Sequence, residues 1–438
     1  MQVSVEELGG LERRLVVQVP SAKVEQEIES RLQSLSRKVK LDGFRPGKVP
    51  LKVVKRMYGP QVRQEVLGDM VEKSFQEAVS ERKLRPASGP HIEPRQVVEG
   101  QDLEYVATFE VVPEIEVGGF ESIAVERPTA SVTDADVDAM LETLRKQRTN
   151  WVPVERPAQS GDRVTITFEG KIDGADFPGN KGDDVPVIIG AGGMLKDFED
   201  GMLGMTTGEA KTLDVAFPAD YHGAEVAGKV AQFTVRASAV AEPNLPTVDE
   251  EFAKAFGVED GGVDALRQTL KENMERELAQ GVKAAVKRQV MEGLLSANPI
   301  DLPKVLVSEE IDRLAQQAGF PAASGEAEEA AKIKNSIFET EARRRVALGL
   351  LISRLVAAHD IKLDSVRVLD HVRAMAATYQ EPDEVVQWYL KNPQALEGVR
   401  ALALEDTVVE WLLERAQVTE QPSSFDAVMR PGKSPAAV

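Results

Sequence analysis

The chain has 438 residues, sets 53 Lys and Arg against 72 Asp and Glu for a formal net charge of −19, and contains no cysteine. That length exceeds one ordinary hydrophobic core and calls for several domains, while the missing thiols exclude disulfides, cysteine nucleophiles and thiolate metal sites. The acidic total excludes a general DNA binder, because phosphates need clustered cations. Met1–Arg14 has no apolar leader core and no run approaches ~18 apolar residues, so a soluble, cytoplasmic protein with no membrane partner is expected.

Residues 1–112 read as an α/β unit. Leu11–Val19 alternates as a strand and stops at Pro20. Ser21 then opens a helix with Val24, Ile28, Leu32, Leu35 and Val39 on one face. The stretch Gly43-Phe44-Arg45-Pro46-Gly47-Lys48-Val49-Pro50 follows. Its prolines fix φ and its glycines permit positive φ, so it reads as a compact, rigid tip. From Arg31 to Tyr58 nine cations meet one anion, Asp42, for a local charge of +8. So polarised an object seeks a polyanion. Pro50 opens a short helix that Gly59 closes, and a third helix spans residues 62–82. A strand with Tyr105, Ala107, Phe109 and Val111 on one face ends the unit at Pro113.

Residues 113–149 read as a linker arm with little core of its own. Thr133 and Asp136 make a capping-box pattern before a helix with the narrow stripe Val137, Met140, Leu141 and Leu144. From 150 to 245 glycine becomes dense. Short alternating segments appear at Val164-Ile166-Phe168, Val187-Ile189, Leu213-Val215-Phe217 and Phe233-Val235. They predict a small antiparallel sheet with turns at Asp173-Gly174 and Thr207-Gly208, plus one short helix over 195–202. Its large apolar side chains include Phe168, Phe177, Met194, Leu195, Phe198, Tyr221 and Phe233. Periodicity alone reads them as the core of this small domain.

After Pro246 the texture turns helical. Val263, Leu266, Leu270, Met274, Leu278, Val282, Val286, Val290 and Leu294 recur almost strictly by four. Four residues turn ~400°, so the stripe winds by about 40° per step and meets several partners in turn. Further helices are expected over 304–318, 327–358, 365–378, 382–391 and 394–416, with a disordered tail from residue 421. The pattern as a whole is that of a multidomain α+β protein.

Several familiar constellations fail. Gly43–Lys48 has three residues between its glycines where a phosphate loop needs four, and Val49 stands where a magnesium-binding hydroxyl belongs. Gly190-Ala191-Gly192-Gly193-Met194-Leu195 lacks the third glycine of a dinucleotide fingerprint. His91, His222, His359 and His371 are scattered without ligand spacing, so neither metal nor cofactor is expected.

The order Phe168-Glu169-Gly170, Gly174-Ala175-Asp176-Phe177, Ile189 through Met202, and Pro218-Ala219-Asp220-Tyr221-His222-Gly223 resembles FKBP-type peptidyl-prolyl isomerases. In that family the residues matching Phe168, Phe177, Met194, Leu195, Phe198, Tyr221 and Phe233 line a pocket for a prolyl side chain. The resemblance implies the same catalytic set here. End to end, the chain resembles bacterial trigger factors. It has the Gly-Phe-Arg-x-Gly-Lys-x-Pro loop in an N-terminal unit, the FKBP-like domain in the middle and a helical C-terminal part. Val66-Leu67-Gly68-Asp69 and Phe256-Gly257-Val258-Glu259-Asp260-Gly261 are further similar stretches.

The resemblance implies a ribosome-docking α/β domain over 1–112, a linker arm over 113–149, and an FKBP-like antiparallel sheet with a short helix over 150–245. An all-α chaperone domain over 246–438 completes the implied fold. Gly43, Phe44, Arg45, Pro46, Gly47 and Lys48 are implied to bind the large ribosomal subunit near the polypeptide exit tunnel. Nascent and unfolded chains would be held open, folded and passed on for export; a homodimer off the ribosome is among the implied partners. Pro46 takes the loop's variable position, where some relatives have a third cation, so docking rests on Phe44, Arg45 and neighbouring charges. Pro178 follows Phe177 where FKBP relatives usually have an acidic residue, so the apolar pocket carries over and that polar contact does not. Two rival readings stay open at this level: a free cytosolic FKBP-type isomerase working without the ribosome, and a holdase with a weakly active isomerase domain.

Overall fold

The computed structural model describes residues 1–41, 44, 49–98, 100–221, 223, 225–320, 327–377 and 379–431. Of the six docking-loop residues only Phe44 falls among them; Gly43, Arg45, Pro46, Gly47 and Lys48 lie outside the described residues. The chain begins with β1 (Gln2–Gly9), β2 (Glu12–Val19), α1 (Ser21–Lys38), α2 (Leu51–Glu81), β3 (His91–Gln96) and β4 (Leu103–Glu110). The strands form one antiparallel sheet in the order β1-β2-β4-β3. Leu15, Val17, Tyr105 and Ala107 are fully buried against Val24, Ile28 and Leu32 of α1 and Val54, Val62 and Phe75 of α2. The sequence pattern predicts β2 and β4 but not β1 and β3. Both are edge strands: β1 offers only the short alternation Val3-Ser4-Val5, and β3 is mostly polar and carries Pro94, which an edge tolerates because no ladder N–H is required there.

Helix α2 overturns the expectation of two helices parted at Gly59. Gly59 and Pro60 lie inside one 31-residue helix. Proline deletes an i→i−4 bond and favours a break, yet Val54, Val62, Val66 and Phe75 continue one buried face across it. Ion pairs from Arg63 to Glu25 (3.0 Å) and from Arg31 to Glu65 and to Asp69 (3.8 Å) tie the far side to α1. Tertiary packing therefore outweighs the local signal. Arg31 corrects the charge count as well: two carboxylates distant in sequence oppose it in space.

The chain continues through β5 (Ala124–Thr129) and α3 (Asp134–Gln147). Asp136 Oδ2 accepts from the Thr133 N–H at 2.8 Å and Thr133 Oγ1 from the Asp136 N–H at 3.3 Å, the capping box expected there. Next come β6 (Asn150–Pro153), β7 (Arg163–Lys171), β8 (Lys181–Ile188), α4 (Lys196–Met202), β9 (Ala210–Ala216) and β10 (Val230–Asn244). They make an antiparallel sheet in the order β6-β10-β7-β8, with β9 paired to β10. The 15-residue β10 serves both: Val230–Arg236 pairs with β9 and Ala241–Asn244 with β6, either side of a register shift between Ala237 and Ala239. Asp173 and Gly174 both take positive φ, 51° and 84°, as a tight turn after β7 requires. Helix α4 packs on β9.

The remaining elements are α5 (Glu250–Ala255), α6 (Gly262–Ala297), α7 (Lys304–Gln317), α8 (Ala327–His359), α9 (Ser365–Ala376), α10 (Pro382–Lys391), α11 (Pro393–Leu413), β11 (Gln417–Pro422) and α12 (Phe425–Met429). The winding stripe of α6 does meet successive partners. Leu266 packs with Leu141, Phe252 and Ala253, whereas Met274 and Leu278 pack with Val132, Val137 and Phe425. Farther on, Gly293 leaves room for Ile123, whose Cγ2 would lie 2.5 Å from an added Cβ. The expected disordered tail from residue 421 is corrected as far as residue 431, and its remainder, 432–438, lies outside the described residues. β11 pairs with β5, and α12 buries Phe425 with Val428 and Met429 packed beside it. Those three residues form an i, i+3, i+4 apolar face, and Ser424 Oγ caps the turn by accepting the Ala427 N–H at 3.2 Å. Contacts group the chain into two compact units, Met1–Arg127 with Lys283–Gln421 and Pro128–Val282 with Pro422–Val438.

Candidate active site

Within the β6–β10 sheet region lies a cavity of about 760 Å³. All seven residues singled out there line it: Phe168 from β7, Phe177 from the turn after it, Met194 and Leu195 from the loop before α4, Phe198 from α4, Tyr221 after β9, and Phe233 from β10. Phe233 is the hub. Its ring centroid lies 5.2 Å from Phe198, 5.9 Å from Phe168, 6.0 Å from Phe177 and 6.5 Å from Phe217. The first three contacts are edge-to-face, the geometry that the ring quadrupole favours. Gly170 stands opposite Phe233 in the ladder, and an added Cβ would sit 2.4 Å from that ring. Only glycine lets β7 pass under it.

Phe198 and Phe233 are buried in the domain core, while Phe168, Phe177, Met194, Leu195 and Tyr221 are half-buried. One aromatic set thus serves as both core and cavity wall. Sequence reasoning missed Val215, Phe217 and Val226, which also line the cavity. Phe217, 4.9 Å from the Tyr221 ring, ends an alternating segment that pointed it to the same face as Leu213 and Val215; that signal was available. Pro178 lies on the wall too, and Glu225 is the one charged residue among the described lining residues.

Two carboxylates brace the site. Glu199, buried beside Phe198 in α4, accepts the backbone N–H groups of Gly190 (2.8 Å), Gly192 (3.2 Å) and Met194 (2.9 Å). Burial pushes its carboxyl up, but these amides outweigh that and hold it below the usual glutamate range. Asp162 takes both terminal nitrogens of Arg156, at 2.6 and 3.1 Å, and the Gln159 N–H at 2.8 Å. Burial raises its carboxyl, Arg156 and Gln159 lower it, and the balance lies below the usual aspartate range. The cavity itself presents no nucleophile and no metal-ligand set among the described residues. It is suited to enclosing an apolar ring and stripping it of water.

At the other candidate site, Phe44 is 39% exposed and its N–H bonds to the Leu41 carbonyl at 3.1 Å. Val49, beyond the undescribed loop residues, is buried in the N-terminal core.

An antiparallel sheet with one short helix packed on it, around an aromatic hollow, is the architecture of peptidyl-prolyl isomerases of the FKBP type. The FKBP-type peptidyl-prolyl cis-trans isomerase family matches residues 154–238. Families described as bacterial trigger factor protein and its C-terminus match residues 1–144 and 262–414. The trigger factors of Thioalkalivibrio sulfidiphilus and Alkalilimnicola ehrlichii are each 50% identical to this chain, over 100% and 98% of it and 100% and 96% of their own lengths. A solved chain of the trigger factor chaperone overlays with 19% identity and a TM-score of 0.46, covering 94% of this chain and 99% of its own. This chain belongs to the trigger factor family, ribosome-associated chaperones that carry an FKBP-type prolyl isomerase domain.

Proposed function

We propose that this chain docks on the large ribosomal subunit near the exit tunnel through residues 43–48 and isomerises X–Pro bonds of emerging and unfolded chains in the cavity around Phe233. The observation that supports this reading most directly is that the seven residues implied by the FKBP resemblance all line one cavity. The proposed division of labour is docking by 1–112, a linking arm over 113–149, isomerisation by 150–245 and chain holding by 246–438, in the cytoplasm.

Prolyl isomerisation needs no nucleophile or metal. Its barrier of ~18–20 kcal/mol comes from amide resonance lost on twisting. The planar imide is more dipolar than the twisted one, so a dry apolar hollow favours the twisted state. Phe168, Phe198 and Phe233 would surround the prolyl ring, Phe177, Met194 and Leu195 would close the wall, and the Tyr221 hydroxyl would hold a substrate carbonyl. Turnover of a short proline peptide tests this. Phe198→Ala should lower kcat/KM by about tenfold or more through lost transition-state contact, and Tyr221→Phe by about fivefold, the worth of one hydrogen bond. Unchanged turnover in both variants would remove the assignment.

For docking, Phe44 would be the apolar anchor and Arg45 and Lys48 the steering charges. Cosedimentation with ribosomes across a salt series separates these roles. Phe44→Ala should weaken binding at every salt concentration, whereas Arg45→Ala should weaken it most at low salt and flatten the salt dependence. Full binding by the double variant would leave a free isomerase as the better reading.

A further inference from the structure

The lip of the cavity is held by a buried side chain that the isomerase assignment does not use. Gly190, Gly192 and Gly193 sit in the loop between β8 and α4, with φ of +88° at Gly190 and +73° at Gly192. Gly192, Gly193, Met194 and Leu195 line the cavity. So glycine-rich a loop has little packing of its own to choose one shape. The choice falls to Glu199, 3% exposed, whose two oxygens take the N–H groups of Gly190, Gly192 and Met194. A trans peptide sets each N–H opposite the preceding carbonyl, so the carbonyls of Ala191 and Gly193 turn away from the carboxylate. Phe198, the preceding residue of the same helical turn, forms the cavity floor. Floor and lip are thereby locked to one turn of α4.

We infer that Glu199 is a positioning residue for prolyl isomerisation, its carboxylate holding the Gly190–Leu195 lip in the shape that admits substrate. The inference rests on the cavity being the isomerase site. Only a carboxylate suits this lip, being acceptor-only with two oxygens, whereas an amide offers one oxygen and turns an NH₂ toward the remaining donors. Because Glu199 acts through the lip and not on the reacting bond, its loss should weaken ground-state and transition-state binding alike.

The test measures kcat and KM separately on the full-length chain with a proline tetrapeptide, too short to engage distant surfaces. Glu199→Gln should raise KM by about tenfold while kcat stays within about twofold. Glu199→Asp, shorter by one methylene, should recover part of the loss. Gly192→Ala strains the lip through its positive φ and leaves the carboxylate untouched, so it should give the same high-KM signature. Unchanged KM in Glu199→Gln, whether kcat holds or falls, overturns the proposal. If thermal melting shows that Glu199→Gln does not fold, Gly192→Ala decides, and an unchanged KM there overturns it. Absence of turnover by the unmodified chain would instead reject the isomerase site itself.

Discussion

The basic tip and the isomerase cavity gather their residues in opposite ways. The tip concentrates cations within one short stretch, and that local count misleads. Arg31 is drawn to Glu65 and Asp69, more than thirty positions away, because a charge answers to any opposite charge that folding brings near. The cavity draws on residues spread from Phe168 to Phe233, yet every one expected there arrives. Phe168 and Phe233 owe their place to strand register, Phe233 facing Gly170 on one neighbour and Leu213 on the other, while Phe177, Met194, Leu195, Phe198 and Tyr221 arrive from turns, loops and α4. Charge clustered along the chain is thus partly answered by partners from elsewhere in the fold, whereas the FKBP-like order of aromatic residues carries through to one cavity.

Phe233→Ala separates the two regions most sharply. Removing the hub of four ring contacts should destabilise the isomerase region by about 3–5 kcal/mol in denaturant unfolding, with ribosome cosedimentation unchanged. Loss of both would mean that cavity and tip do not act separately. Next comes acid. Asp162 has a carboxyl lowered by folding, so its contribution is complete above the unfolded aspartate pKa and disappears as pH falls through the lower folded value. Melting of the isomerase region should be flat from neutral pH down to about pH 4 and then fall. Asp162→Asn should shrink that acid limb, leaving the part that belongs to Glu199, and lower the melting temperature at neutral pH. A smaller effect belongs to α2: Pro60→Ala restores one ladder bond and should stabilise the N-terminal region by about 1 kcal/mol in denaturant unfolding. Smallest of all, Arg31→Ala should leave ribosome affinity within about twofold, since its charge is already met. A loss as large as that of Arg45→Ala would restore the simple count of nine cations.

How much was legible depended on which physics ruled each element. The strands at Val164–Phe168 and Leu213–Phe217 and the helices α7, α8, α9 and α11 announce themselves by period, because each keeps one buried face. Edge strand β1 carries only the short alternation of Val3 and Val5, which went unread, and β3, mostly polar and holding Pro94, carries none. Pro60 reads as a stop only to a local rule; the buried face of α2 runs past it. The tail was judged by its proline, serine and lysine content, although Phe425, Val428 and Met429 stood at helical spacing. Glu199 was hidden for another reason: an acidic residue in a short helix looks solvated until the loop amides around it are seen.

Phe425 bears on how this protein is made. Its seat, formed by Val132, Val137, Met274 and Leu278, is complete long before residue 425 leaves the ribosome that synthesises it. The N-terminal sheet carries a core of its own, from Leu15 to Val111, but the rest of the larger unit waits for Lys283–Gln421. Contacts so distant in sequence delay folding until most of the chain exists. A chaperone of growing chains thus passes part of its own synthesis with an apolar seat open, until Phe425 arrives to fill it.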